Sequence, residues 1–154
     1  MRSPKAAPAI RRAEASDAPA LRALVRAAFA LYTPRMGREP APMAQDFPAD
    51  IAARRCWMVD GLAGPLGLLV AWGEDDAFHL ETVAVATAAQ GTGLGRMLVA
   101  FAEDEARRQG FAAIRLYTNA MMTENLSLYP RLGYVETGRR REAGFDRVFF
   151  EKTL

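Results

Sequence analysis

Cysteine, histidine and lysine are all scarce in this 154-residue chain. Cys56 is the only cysteine, so no intrachain disulfide can staple the fold. It lies in the apolar stretch Cys56-Trp57-Met58-Val59 and reads as a small buried thiol. A nucleophilic cysteine would need a base, and His79 is the sole histidine. One Cys and one His also make a poor metal site, so no metal is expected. Lysine occurs only at Lys5 and Lys152, leaving positive charge to arginine, and the net charge is just +2. The single basic run, Arg139-Arg140-Arg141, reads as a solvated strand end. A nucleic-acid surface would need more charge and interleaved aromatics, so no nucleic-acid partner is expected. No apolar run approaches the roughly 20 residues of a membrane helix, so no membrane partner is expected either. Met1 to Ala9 has early charges but no apolar signal-peptide core. These absences together lead to the expectation of a cytoplasmic protein.

What remains is an ordinary globular composition, 51% apolar and 25% charged, which suits one domain over residues 1–154 with a core at about 9–152. A strand is expected at Ala9 to Ala13, then a helix capped by Ser16 and running to about Leu31. Its Leu21, Leu24, Val25, Ala28 and Phe29 share one face. Tyr32 to Phe47, with Pro34, Gly37, Pro40 and Pro42, reads as a loop, and a short helix follows around Pro48 to Arg54. Strands are expected at Cys56–Asp60, Leu66–Trp72 and Ala77–Ala86. The apolar end Val83-Ala84-Val85 marks the last of these as central. A helix from about Gly93 to Gln109 stops at Gly110. Ala112 to Thr118 is a strand, and Thr123 caps a short helix to about Leu132. Tyr134–Arg139 and Phe145–Lys152 form a hairpin around Ala143-Gly144. The whole describes a mixed α/β domain.

The most informative segment is Gln90-Gly91-Thr92-Gly93-Leu94-Gly95-Arg96, where a central strand hands over to a helix. Three alternating glycines let the backbone turn sharply and bring its N–H groups onto one anion. The helix N-terminus adds partial positive charge, and Arg96 can add a formal one. A phosphate-binding P-loop is excluded because no Lys-Ser/Thr pair follows. The dinucleotide fingerprint Gly-x-Gly-x-x-Gly fails too, since its last position would be Arg96 or Leu98.

Gln90-x-x-Gly93-x-Gly95, following Leu80-Glu81-Thr82-Val83-Ala84-Val85, resembles the acetyl-CoA-binding motif of the GCN5-related N-acetyltransferase (GNAT) superfamily. Asn125-Leu126-Ser127-Leu128-Tyr129-Pro130-Arg131-Leu132-Gly133-Tyr134 resembles that family's Asn-x-x-x-Tyr helix and the strand after it. The resemblance implies a single-domain GNAT-like fold, a mixed, mostly antiparallel sheet flanked by helices. It implies acetyl-CoA as co-substrate, with the pantetheine arm along Val83, Ala84 and Val85. The pyrophosphate would then sit on amides of Gly91, Thr92, Gly93, Leu94, Gly95 and Arg96, with Gln90 opening the motif.

Acyl transfer to an amine needs a proton acceptor, oxyanion stabilisation and a proton for the departing thiolate. Tyr129 resembles the family's general acid, and Asn125, one helical turn earlier, can bond the cofactor arm or the tyrosine. Pro130 removes a helix hydrogen bond and should kink or loosen this element. Along the preceding strand, residues 79, 81, 83 and 85 are expected on one face, with Glu81 the favoured base and His79 the weaker candidate. The backbone near Val83 is the expected oxyanion donor. The acceptor side is assigned to the irregular segment, with Tyr32, Arg35 and Met36 as candidate contacts beside Arg38 and Met43. The implied partner is a small-molecule or peptide amine, and a homodimer through the C-terminal strands is compatible. Two further readings stay open: a non-catalytic acyl-CoA-binding module, and an arginine-rich RNA binder, which the modest charge disfavours.

Overall fold

A computed structural model describes residues 9–154; the Met1–Pro8 part of the N-terminal reading lies outside them. In chain order the elements are β1 (Ile10–Arg12), α1 (Ala18–Phe29), α2 (Tyr32–Met36), α3 (Phe47–Ala52), β2 (Cys56–Gly61), β3 (Gly64–Glu74), β4 (Ala77–Val85), α4 (Leu94–Arg108), β5 (Ala113–Asn119), α5 (Thr123–Arg131), β6 (Val135–Glu142) and β7 (Phe145–Thr153). One seven-stranded sheet has the order β1-β2-β3-β4-β5-β7-β6. Every pairing is antiparallel except β4 with β5. That parallel step is the crossover through α4.

The centre of the sheet is buried on both faces because β3 and β4 are apolar on both. Leu69, Ala71, Phe78 and Leu80 join Leu94, Leu98, Val99 and Ala102 of α4 in one core cluster. Leu68, Val70 and Ala84 join Leu21, Leu24, Val25 and Phe29 of α1 in a second. Each fully buried aliphatic side chain contributes about 1.5–3 kcal/mol, so these two layers fix the strand order. Cys56 is buried, and burial pushes its thiol up to about 12, as an inert core cysteine requires. None of the helices in the described residues is long and apolar enough to cross a membrane.

Three local expectations are corrected. Ser16 is not a helix cap: Ala15–Asp17 forms a 3-10 turn, and Asp17 precedes α1 while closing a capping box with Glu14. The segment 32–47 is not one loop, for it holds α2 and a 3-10 turn at Ala41–Ala44. Pro34 near the start of α2 removes no needed donor, and Gly37 (φ 73°) ends it in the left-handed region. Finally, residues 79, 81, 83 and 85 do not share a face. Val70 opposes Thr82 while Ala71 opposes Leu80, so Glu81 is an extra, bulged residue in β4. Leu80 and Val83 therefore both pack towards α4, whereas Ala84 points to the α1 side. The basic run lies on the exposed edge strand β6, where Arg139, Arg140 and Arg141 meet Glu136, Glu142 and Asp146.

Candidate active site

Strands β4 and β5 pair only at Phe78–Ile114, His79–Arg115 and Leu80–Leu116. Beyond that point they splay, and the bulge at Glu81 is where they part. The β4 edge from Glu81 to Val85 thus has no strand partner on the β5 side among the described residues. Such an edge is a template for an extended chain.

Two cavities open from this split. One, on the α4 and α5 side, is lined by Val83, Val85, Gln90, Gly95, Val99, Asn125, Leu128 and Tyr129, with Tyr32 and Glu124 at its rim. The other lies on the opposite face under the 36–45 segment, with Phe29, Met36, Pro42, Gln45, Glu81, Tyr117, Phe145 and Arg147 in its walls. Val83, Asn125 and Tyr129 line both. A molecule in each would meet at those three residues.

The glycine loop sits at the mouth of the first cavity. Gly91 (φ 79°) and Gly93 (φ 88°) take the left-handed conformation, and Gly93 caps α4. The N–H groups of residues 91 to 96 find no acceptor among the described residues, the first intrahelical bond being Met97 N–H to Gly93 O. A row of unused donors at the N-terminus of a 15-residue helix fits a pyrophosphate. Thr92 Oγ1 bonds the Ala89 carbonyl and Gln90 Nε2 donates to Val85 O (3.3 Å), so both side chains brace the loop.

Tyr129 is buried against Tyr134 and Phe150, at centroid distances of 5.5 and 5.8 Å. Burial alone pushes its phenol up to about 12. Its hydroxyl bonds none of the described residues, although it borders both cavities. Behind it, the Tyr134 hydroxyl donates to Glu103 (3.1 Å), and Lys152 Nζ donates to Glu103 (2.8 Å) and Leu132 O (2.9 Å), locking the end of α5. Pro130 lies one residue before the end of that helix, where it leaves the Leu126 carbonyl without its i+4 donor. Asn125 donates to Thr118 Oγ1 (3.0 Å) on β5 and not to Tyr129.

On the opposite side of the split, Glu81 accepts from His79 Nε2 and from the Tyr117 hydroxyl (2.9 Å). Burial raises its pKa, but the His79 and Tyr117 hydrogen bonds and the charge of Arg147 outweigh that and hold it below the usual carboxylate value. The Tyr117 phenol is pushed up to about 12, by burial first and then by Glu81. Trp72 packs on His79 at 4.9 Å, and an outer cleft lined by His79, Glu81, Tyr117 and Arg140 reaches the same pair from solvent.

Of the irregular-segment candidates, only Met36 lines the cavity beside Glu81. Tyr32 borders the α4-side cavity instead. The Tyr32 hydroxyl (3.2 Å) and Arg35 Nη1 (3.0 Å) both donate to Glu124, tying α2 to α5 across the split. Arg38 stacks over Phe145 at 4.0 Å. Tyr117, Phe145 and Arg147 were not legible as lining residues, since the pairing of β5 with β7 brings them together, and Gln45 reaches the cavity from the turn after Ala41–Ala44.

A family model described as Acetyltransferase (GNAT) family matches residues 20–134. Comparison with the curated proteins returns no match. Among solved structures, the PaiA N-acetyltransferase from Thermoplasma acidophilum in complex with coenzyme A is 13% identical, with a TM-score of 0.79 over 97% of this chain and 100% of that one. The ribosomal-protein-S18-alanine N-acetyltransferase from Escherichia coli is 21% identical, with a TM-score of 0.72 over 94% of this chain and 92% of that one. A GCN5-related N-acetyltransferase from Rhodopseudomonas palustris is 20% identical, with a TM-score of 0.74 over the full length of both. The glycine loop, the split sheet and the family match over most of the chain agree: this protein belongs to the acetyltransferase (GNAT) family.

Proposed function

We propose that this chain moves an acetyl group from acetyl-CoA directly to a primary amine, with Tyr129 as general acid and Glu81 as the base. The observation that carries this reading is the meeting of two cavities at Val83, Asn125 and Tyr129, one beside the row of free N–H groups and the other beside Glu81. The pyrophosphate of the co-substrate fits the N–H groups of residues 91 to 96. Its pantetheine arm fits the unpaired β4 edge from Val83 to Val85 as an added strand.

In the reaction the amine nitrogen bonds to the thioester carbon and a tetrahedral oxyanion forms near the Val83 backbone N–H. The carbon–sulfur bond then breaks, and the thiolate takes the Tyr129 phenolic proton. With a pKa near 12, Tyr129 holds that proton at any physiological pH. The amine's own proton leaves through Glu81. A carboxylate with a depressed pKa is a poor resting place for it, so the proton passes by His79 or water to the outer cleft.

The test is release of CoA thiol from acetyl-CoA with a panel of primary amines. Tyr129→Phe is expected to lower kcat about 100-fold while CoA affinity, measured by calorimetry, holds. CoA binding without amine-dependent turnover in the wild type would instead identify a binding module.

A further inference from the structure

Strand β7 carries Phe145, Arg147 and Phe149 on the face that β5 gives to Tyr117, by the pairs Tyr117–Phe149 and Asn119–Arg147. Arg147 is largely buried, with 14% of its side chain exposed, and lines the acceptor cavity. Its guanidinium lies 4.2 Å from the centre of the Tyr117 ring, whose hydroxyl bonds Glu81. One tyrosine ring is thus bracketed by a cation and an anion inside the same cavity. Arg147 is not fully neutralised. Its Nη1 donates to Glu142 (3.1 Å), but Glu142 also accepts from Arg140 (2.5 Å), so two guanidinium groups share one carboxylate. Nη2 and Nε of Arg147 have no hydrogen-bond partner among the described residues. Phe29, Met36, Pro42 and Phe145 give the cavity one apolar side, while Gln45, Thr82, Thr118, Asn119 and Asn125 add polar groups elsewhere in its walls.

We infer that the acceptor is a free amino acid with an apolar side chain: its carboxylate bonds Arg147, its amine faces Glu81, and its side chain packs on Phe29, Met36 and Phe145. The inference rests on the acyl-transfer reading above and deepens it. A largely buried guanidinium with two free, accessible donors is matched by a planar carboxylate. An alkylamine would leave the surplus charge of Arg147 unanswered, and a peptide N-terminus lacks the α-carboxylate. Arg147 is accordingly a binding residue that also fixes where the amine stands relative to Tyr129.

The experiment compares kcat/KM, read as CoA thiol release, for leucine, methionine and phenylalanine, their carboxamides, a leucyl dipeptide and isopentylamine. The free amino acids are expected to exceed their carboxamides by about 10-fold or more, the scale of a charge-assisted hydrogen bond. In Arg147→Gln the ratio should fall towards one, and Arg147→Lys, which keeps the charge, should retain part of it. Because the substrate series is run on the wild type, the result stands even if a variant fails to fold. Carboxamides, dipeptide or isopentylamine used as well as free amino acids would overturn the inference and leave acyl transfer standing. If no amine releases CoA above background hydrolysis, acyl transfer itself fails, and this inference fails with it.

Discussion

Glu81 holds its position through His79 and Tyr117, and its ionisation ties the site to the stability of the fold. Its folded pKa is depressed, so it contributes stability that is present above the unfolded value of about 4.3 and lost as pH falls through the folded value. Urea unfolding between about pH 3 and 7 should therefore show a shallower acid limb in Glu81→Gln than in the wild type. An unchanged acid limb would mean that the hydrogen bonds to Glu81 carry no net weight. In the same variant kcat/KM at neutral pH is expected to fall about 100-fold. Tyr129 predicts the other side of the profile. Its raised pKa leaves it protonated, so activity should climb as the amine deprotonates and show no descending limb below about pH 10. A descending limb near pH 8 would assign the acid to another group. Glu81 and Tyr129 could be named from the sequence because each lies in a segment that resembles a family motif, and both line the cavity at the split. Arg147 and Tyr117 were not, because their meaning comes from a strand pairing between distant segments.

The elements that matter most are the β4 bulge and the loop into α4. Alternation of burial along β4 continues through Glu81, so the sequence pattern hides the extra residue that turns Val83 to the cofactor side. The helix α2 escaped for another reason: five residues with a proline are too few to display a period. The glycine loop, by contrast, was readable as a turn, because its left-handed positions depend on residue type more than on distant partners. Its glycines make separable predictions. At Gly93 (φ 88°) an added Cβ meets nothing within 4 Å, so Gly93→Ala should cost about 1 kcal/mol of stability through backbone strain. Gly95 lies in helical conformation and its Cβ would make only an ordinary 3.7 Å contact with Val85. Gly95→Ala should thus hold or raise Tm while weakening CoA binding, since Gly95 lines the cofactor cavity. Thermal melts and calorimetry on the pair check both, and equal loss of Tm in the two variants would contradict this division.

At the scale of the molecule, a seven-stranded sheet with a core on each face is continuous in pairing except where β4 and β5 part. The fold class, mixed and mostly antiparallel, followed from the order of elements and the family resemblance, and the family match bears it out. The depth of the split and the two cavities on either side could not follow from one-dimensional patterns, because they depend on where a pairing stops. In the proposed transfer, donor and acceptor enter this split from opposite faces and meet at Tyr129. A crystal structure with CoA bound tests it most directly. The account predicts the pyrophosphate on the N–H groups of residues 91 to 96, the pantetheine along Val83 to Val85, and the sulfur beside the Tyr129 hydroxyl. A CoA that bypasses the β4–β5 split, or whose sulfur lies away from Tyr129, would contradict it.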